Sequence, residues 1–240
     1  MLQLNGQAAI VTGGTHGIGR AIARALVGAG ANVTIAARTP GDVERVAAEL
    51  TALGPGTARG ETADVSRYDD CRRLVGAAIR AFGRLDVLVN NAGVGLFKPV
   101  ADMEPDDWDR VIRTNLDSLF YCSHEAIPHL RRAGAGWIIN IGSLAGKNAF
   151  PGGAAYNASK FGVIGFSEAL MQEVRHDGIR VSYIMPGSVA TDFGGGSGTG
   201  DAWKIQPEDI AEIVVDLLAF PGRTLPSRIE VRPSMPPRKP

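Results

Sequence analysis

Short apolar runs alternate with helix-spaced patterns from one end of the chain to the other, and this alternation limits the fold more than any other feature. Residues 7–12, 32–37, 85–90, 137–141 and 180–185 are short, mostly apolar runs without a strict polar alternation, as expected for strands buried on both faces. The weaker run 57–64 reads as a further strand, and 228–231 as an edge strand. Helical patterns fill the intervals at 19–28, 41–53, 69–82, 104–132, 155–177 and 207–218. Within 41–53, Val43, Val46, Ala47 and Leu50 share one face. Pro128 is expected to bend or interrupt the long helix 104–132, and Gly178 to cap the next one. Strict β-α alternation with such strands predicts an α/β fold: a Rossmann-type, doubly wound, parallel seven-stranded sheet with helices on both faces. Nothing in composition marks a boundary, so 240 residues read as a single domain over 1–240.

Charge narrows the partners. Lysine plus arginine number 25 and so do aspartate plus glutamate, which leaves no electrostatic footprint for nucleic acid or an anionic membrane. The local excess at Arg238 and Lys239 reads as a solvated end. No apolar run approaches the roughly 20 residues of a membrane span. The N-terminal residues lack a signal-peptide pattern, so a cytoplasmic location is expected. Cys71 and Cys122 fall in separate helices, and nothing argues for a disulfide between them. His16, His124, His129 and His176 do not cluster with cysteines or acids, so no metal site is expected.

The first strand runs into a glycine turn, Thr12 to Gly19, spaced G-x-x-x-G-x-G, which opens the first helix. A helix N-terminus offers free N–H groups and the positive end of a dipole to a phosphate. Gly13 would let the chain turn out of the strand, Gly17 would let backbone approach a pyrophosphate, and Gly19 would let the helix pack closely. Gly13, Thr15, His16, Gly17, Ile18 and Gly19 are therefore candidate dinucleotide contacts. Glycine turns also occur at unrelated strand-helix junctions, and it is the position after the first strand of a β-α-β unit that gives this one meaning.

The second strand ends Ala36-Ala37-Arg38. NAD-binding turns commonly carry an acid here for the adenine ribose, and Ala37 stands in its place. Arg38 can meet a 2′-phosphate, with His16 as a second polar contact; the plainer reading of Arg38 is an exposed loop arginine. The missing acid favours NADP(H) over NAD(H).

Tyr156 and Lys160 stand four apart in a predicted helix and so share a face. A phenol with a pKa of about 10 is a poor base at neutral pH, and a nearby lysine cation favours the phenolate. Ser143 follows the fifth strand, at the edge where a parallel sheet binds its ligand, and its hydroxyl could hold a substrate oxygen. A Tyr-x-x-x-Lys pair by itself usually means two surface residues. The glycine turn, Ser143 and the turn Asn90-Asn91-Ala92-Gly93 all end at the same sheet edge, which makes that reading much weaker.

On these residues the chain resembles the classical short-chain dehydrogenase/reductase family, over about residues 4–231, including its 3-oxoacyl-ACP reductase-like members. The turn 12–19 looks like the family's TGxxxGxG, Asp64-Val65 like its adenine-contacting pair, and Asn90 to Gly93 like its NNAG motif. Asn115 falls where the family keeps an asparagine, and Ser143 stands thirteen residues before Tyr156. Pro186, Gly187, Val189 and Thr191 look like the nicotinamide-side loop. The resemblance implies that Tyr156 is the acid/base, that Lys160 tunes it and anchors ribose, and that Ser143 holds the substrate oxygen. It implies that Asn115 holds a water in a proton relay, and that Asp64, Val65, Asn91, Ala92, Gly93, Pro186, Gly187, Val189 and Thr191 contact the cofactor. It also implies a homotetramer or homodimer built on the two long helices and the last strand. The segment from Gly194 to Gly200 departs from the family's usual apolar lid, and reads equally as a flexible linker or a mobile lid with few substrate anchors.

Leu96, Phe97, Asn148, Phe150 and Phe193 are candidate substrate contacts, and read equally as core or subunit interface; they carry no fixed charge, which disfavours a small charged substrate. The expected activity is NADP(H)-dependent interconversion of a ketone or 3-oxoacyl group and a secondary alcohol. The alternatives are an NAD-dependent alcohol or sugar dehydrogenase, against which Arg38 argues, and a catalytically silent dinucleotide sensor or scaffold. The presence of Asn115, Ser143, Tyr156 and Lys160 together argues against the latter.

Overall fold

The computed structural model describes residues 3–193 and 202–237. Its frame is a seven-stranded parallel sheet ordered β3-β2-β1-β4-β5-β6-β7, comprising β1 (Ala8–Thr12), β2 (Asn32–Ala37), β3 (Thr57–Thr62), β4 (Val87–Asn90), β5 (Gly136–Ile141), β6 (Ile179–Pro186) and β7 (Arg228–Val231). The five strands expected to be buried on both faces occupy the centre, and the two weaker runs form the edges.

Successive residues of each central strand feed opposite cores, as the two-residue period of a strand requires. Ala9 and Val11 of β1, with Val87 and Val89 of β4, face one side. There they meet α1 (Gly17–Gly28), α2 (Pro40–Thr51) and α7 (Pro207–Ala219). Ile10 and Leu88 face the other side, under α3 (Tyr68–Phe82), α5 (Ser118–Ala133) and α6 (Ala154–Val174). Burial on both faces is the reason these strands read as mostly apolar runs without a clean alternation.

The long helix expected over 104–132 is two helices. α4 (Pro105–Ile112) passes through a π-helical turn, Arg113–Asp117, into α5. The break lies at Asn115, not at Pro128, which sits exposed inside α5. The cause is a side chain that the helix must turn inward: Asn115 is fully buried and bonded to Val94 beyond β4. Gly178 takes the left-handed conformation expected of it, after a short 3-10 turn, Arg175–Asp177. Cys71 on α3 and Cys122 on α5 are buried free thiols that lie side by side, and Cys71 together with burial pushes the Cys122 thiol up.

Strand order reverses between β1 and β4, and a crevice opens there along the carboxyl ends of the strands, where open α/β sheets bind their ligands. The loops after β1, β2, β3, β4, β5 and β6 all reach it. Among the described residues no helix is long and apolar enough to cross a membrane. Residues 194–200, and with them Arg238 and Lys239, lie outside the described residues.

Candidate active site

The crevice is a cavity of about 630 Å³. Its floor is the turn between β1 and α1. Gly13 and Gly17 both have positive φ, +66° and +53°, where a Cβ is disfavoured. A Cβ on Gly19 would overlap the carbonyl oxygen of Gly13 and the amide of Asn91, so Gly19 lets α1 cross directly over the strand end. The turn is tied to the next strand by side chains. Thr12 Oγ1 accepts from the backbone N–H groups of Asn91 and Ala92, both at 3.0 Å, and Asn91 Nδ2 donates to the carbonyl of Thr12 at 2.9 Å. The α1 N-terminus has no side-chain cap at His16 and no acid in its first turn, so its free N–H groups face the cavity uncompensated. A cradle without Cβ atoms, lined with unpaired donors, fits a dinucleotide pyrophosphate.

Farther along the wall, Arg38 follows β2, exposed and without a hydrogen bond or ion pair among the described residues. Asp64 and Val65 line the wall after β3, with Asp64 Oδ1 accepting from the backbone and hydroxyl of Ser66. Two residues not singled out from sequence join them: Thr39, and Asp42, whose carboxylate is held by Arg45 at 3.1 Å. Asp42 lies one helical turn past Arg38, too far along the chain to be read as the strand-ending acid.

Tyr156, Lys160 and Ser143 converge at the other end. Lys160 is buried, and its Nζ donates to the carbonyl of Ile141 at 3.0 Å. Burial lowers its pKa to about 8. The ammonium stands 5.8 Å from the centroid of the Tyr156 ring. Burial raises the Tyr156 phenol, and the hydrogen bond with Ser143 opposes that shift. The protein's own groups therefore do not lower the phenol as the lysine pairing led us to expect: the desolvation of the phenol outweighs the Ser143 hydrogen bond. Ser143 Oγ accepts from Ala145 N–H at 3.1 Å and turns its own hydrogen toward the Tyr156 oxygen, at the end of the cavity where a substrate oxygen would lie.

Asn115 sits behind this group and does not line the cavity. Its Oδ1 accepts from Val94 N–H at 2.7 Å, and its Nδ2 donates to Val94 O at 2.9 Å and Ser159 Oγ at 3.1 Å. The side-chain hydrogens are all committed, which leaves acceptor oxygens, the second lone pair of Oδ1 or the backbone carbonyl, to hold a water in a relay behind Lys160. Asn157, which sequence reading missed, ties the Ser143 loop to α6 by donating to the carbonyl of Ala145 at 2.7 Å. Asn90, Asn140 and Ser167 form a buried chain beneath it, with links of 2.9 Å. Neither arrangement has a local motif; each joins residues far apart in sequence.

Of the other expected contacts, Gly13, Thr15, His16, Gly17, Ile18, Asn91, Ala92, Gly93, Pro186, Gly187, Val189 and Thr191 all line the cavity, whereas Gly19 lies beneath it. Phe97 and Phe193 also line it, each against the Tyr156 ring, with centroids 5.5 and 5.7 Å away. Phe150 packs on Phe97 at 5.7 Å. Leu96 and Asn148 do not line it. Leu96 is buried in a small core with Val111 and Ala155, and Asn148 offers its carbonyl to Asn157.

Comparison with known proteins gives one answer. The family model described as short chain dehydrogenase matches residues 7–201. A D-beta-hydroxybutyrate dehydrogenase of Rhizobium meliloti is 39% identical over 184 residues, 76% of this chain and 71% of that protein. An uncharacterized oxidoreductase of Staphylococcus aureus is 32% identical over 233 residues, covering 97% of this chain and all of its own, 100%. Among solved structures, a metagenomic short-chain oxidoreductase in complex with NADP has a TM-score of 0.85 and 39% identity, over 97% of this chain and 99% of that one. An alcohol dehydrogenase from the archaeon Thermococcus sibiricus, complexed with 5-hydroxy-NADP, has a TM-score of 0.90 and 28% identity, with coverage of 97% and 99%.

Proposed function

This chain is an oxidoreductase of the short-chain dehydrogenase family, and on that premise we propose that it interconverts a ketone, or a 3-oxoacyl group, and a secondary alcohol with NADP(H). The observation that carries the reading is one cavity with Ser143, Tyr156 and Lys160 at one end and the unengaged Arg38 at the other. When bound, the nicotinamide supplies the hydride that reduces the carbonyl carbon, or takes it up in the reverse direction.

The chain's own groups handle the proton. In reduction, the Tyr156 hydroxyl gives its hydrogen to the carbonyl oxygen as that oxygen gains charge; in oxidation it takes the proton back. Ser143, with its oxygen already engaged by Ala145 N–H, has a hydrogen to donate to the same substrate oxygen. Lys160 uses one of its three N–H bonds on Ile141 O and keeps two, enough for ribose hydroxyls and for the field at Tyr156. Asn115 and Asn157 fix the loops carrying these groups. Gly13, Thr15, His16, Gly17 and Ile18 would hold the pyrophosphate, Arg38 the 2′-phosphate, Asp64, Val65, Asn91, Ala92 and Gly93 the adenosine side, and Pro186, Gly187, Val189 and Thr191 the nicotinamide side. The relatives' bound NADP and 5-hydroxy-NADP favour the same cofactor here. A homotetramer or homodimer is part of this reading. It is supported by the exposed Phe120 on α5 and Phe161 on α6.

Asp42 in the cavity wall favours a second reading, an NAD-dependent dehydrogenase, because an acid there could meet ribose hydroxyls. The test pairs two variants. Tyr156→Phe should lower NADPH-dependent turnover about a thousandfold while NADPH still binds, as measured by nucleotide fluorescence. Arg38→Asp should shift the NADPH/NADH ratio of kcat/KM toward NADH by about tenfold or more. Full turnover in the first variant removes the acid/base assignment. An unchanged ratio in the second transfers the preference to Asp42 and NAD(H).

A further inference from the structure

We infer that the carbonyl end of the cavity is built for an aryl ketone or the matching benzylic-type alcohol, with Phe97 and Phe193 as the residues that select it. The inference rests on the redox reading above and adds the class of substrate.

The first observation is convergence. Three phenylalanines from three different loops, after β4, β5 and β6, gather at this end: Phe97 and Phe193 pack on Tyr156, and Phe150 stands behind Phe97. Phe97 meets the tyrosine ring edge-on at 77°, Phe193 is tilted at 52°, and Phe150 backs Phe97 at 53°. These are the offset and edge-to-face arrangements that aromatic rings prefer. Tyr156 itself is buried, yet the three phenylalanines around it stay 41% to 47% exposed. Burying a large ring is strongly favourable, so three half-exposed rings on an open wall mark a binding surface. A further ring attached to the reacting carbonyl would continue the same set of edges and faces.

The second observation is that the backbone makes room for these rings. A Cβ on Gly95 would lie 2.8 Å from the Phe193 ring and 3.3 Å from the Phe97 ring. A Cβ on Gly153 would lie 2.6 Å from the Phe150 ring. Two bare backbone positions thus act as seats on which the phenyl groups lie.

The third observation concerns charge. A carboxylate substrate needs a cation near the carbonyl. Lys98, next to Phe97, is held by Asp107 at 2.6 Å, and Lys147, on the Ser143 loop, by Glu230 at 2.9 Å. Lys160 is buried and engaged with Ile141. Lys204 lines the cavity with its ammonium 5.8 Å over the Trp203 ring. The side chains packed directly on the Tyr156 ring, Phe97 and Phe193, are apolar, and suit a ring better than a carboxylate.

The test compares acetophenone with 2-octanone, which has the same number of carbons but no ring, and with acetoacetate, which is charged. With purified protein and NADPH, kcat/KM for acetophenone should exceed both others by about tenfold or more, within the range that apolar pockets discriminate. Phe193→Leu and Phe97→Leu, which keep apolar bulk, should erase most of that advantage, read as the ratio of kcat/KM for acetophenone to that for 2-octanone. Binding gives a readout independent of turnover. Acetophenone titrated calorimetrically into the Tyr156→Phe protein loaded with NADPH should bind, and should bind about tenfold more weakly once Phe193→Leu is added. Equal or better use of 2-octanone or acetoacetate by the wild type overturns the aryl assignment and leaves the redox reading intact. Failure to reduce any of the three, with NADPH bound, overturns the redox reading; calorimetric binding that prefers acetophenone would then still uphold the aryl site, and its absence would overturn that too.

Discussion

The two ends of the cavity are made of different materials. The nucleotide end is built from backbone: Gly13 and Gly17 in left-handed conformations, Gly19 under the carbonyl of Gly13, and free N–H groups at the start of α1. The carbonyl end is built from side chains gathered from distant loops: Phe97, Phe150 and Phe193 around Tyr156, with Asn115 and Asn157 holding the loops. Backbone atoms have nowhere to go, whereas rings can turn. The first end should therefore tolerate almost no change, and the second should trade one ligand preference for another. Functional variety on a shared fold is expected to collect at the end that can yield.

The sharpest way to break this contrast is Gly19→Ala. The added Cβ would overlap two backbone-anchored groups, the Gly13 carbonyl and the Asn91 amide that bonds to it. Neither can move without undoing the Thr12–Asn91 ties. NADPH affinity should fall about a hundredfold or more, with some loss of stability. A fluorescence titration giving wild-type affinity would show that the floor is as pliable as the walls.

The same contrast explains what could be read from sequence. The glycine turn, the Asn90 to Gly93 turn and the Ser143–Tyr156–Lys160 spacing are local patterns, because each is imposed by one strand end or one helix face. They point to the sheet edge and to much of the cavity's lining. The failures are all non-local. The helical period runs on through Arg113–Asp117, so the π turn was invisible until Asn115 was seen bonded to Val94. Leu96 looks like a substrate contact beside Phe97, but a single step along the chain sends it into the core with Val111. Asp42 reaches the nucleotide wall only because α2 begins there. The raised phenol of Tyr156 likewise depends on burial, which spacing does not report.

Lys160 stands where the two ends meet, and it is predicted to destabilise the fold. Its folded pKa of about 8 lies below its ordinary 10.5. The unfolded chain therefore binds the proton more tightly, and the cost is fully present below pH 8 and fades as pH rises from 8 to 10.5. A depression of this size corresponds to about 3 kcal/mol, against which the bond to Ile141 O returns about 1 kcal/mol. Lys160→Met should lose turnover yet gain about 2 kcal/mol of stability at pH 7, with the gain gone above pH 10.5. Urea unfolding at the two pH values measures this directly. No gain at pH 7 would mean that the ammonium is better solvated by its neighbours than its burial suggests.

The smallest effect is the most diagnostic of the carbonyl end. Gly95→Ala introduces a Cβ 2.8 Å from the Phe193 ring, a clash as tight on paper as many at the nucleotide floor. The struck atoms here belong to the far end of a side chain that is 45% exposed. Rotation of that ring costs no more than an off-rotamer side chain, so KM for an aryl ketone should rise only about fivefold. NADPH affinity should stay within about twofold, since nothing at the floor moves. The pair Gly19→Ala and Gly95→Ala thus compares similar steric insults against a fixed target and a movable one. If Gly95→Ala instead lowered NADPH affinity as strongly as Gly19→Ala, the two ends would be mechanically one, and the division between a rigid nucleotide floor and an adaptable aromatic wall would not hold.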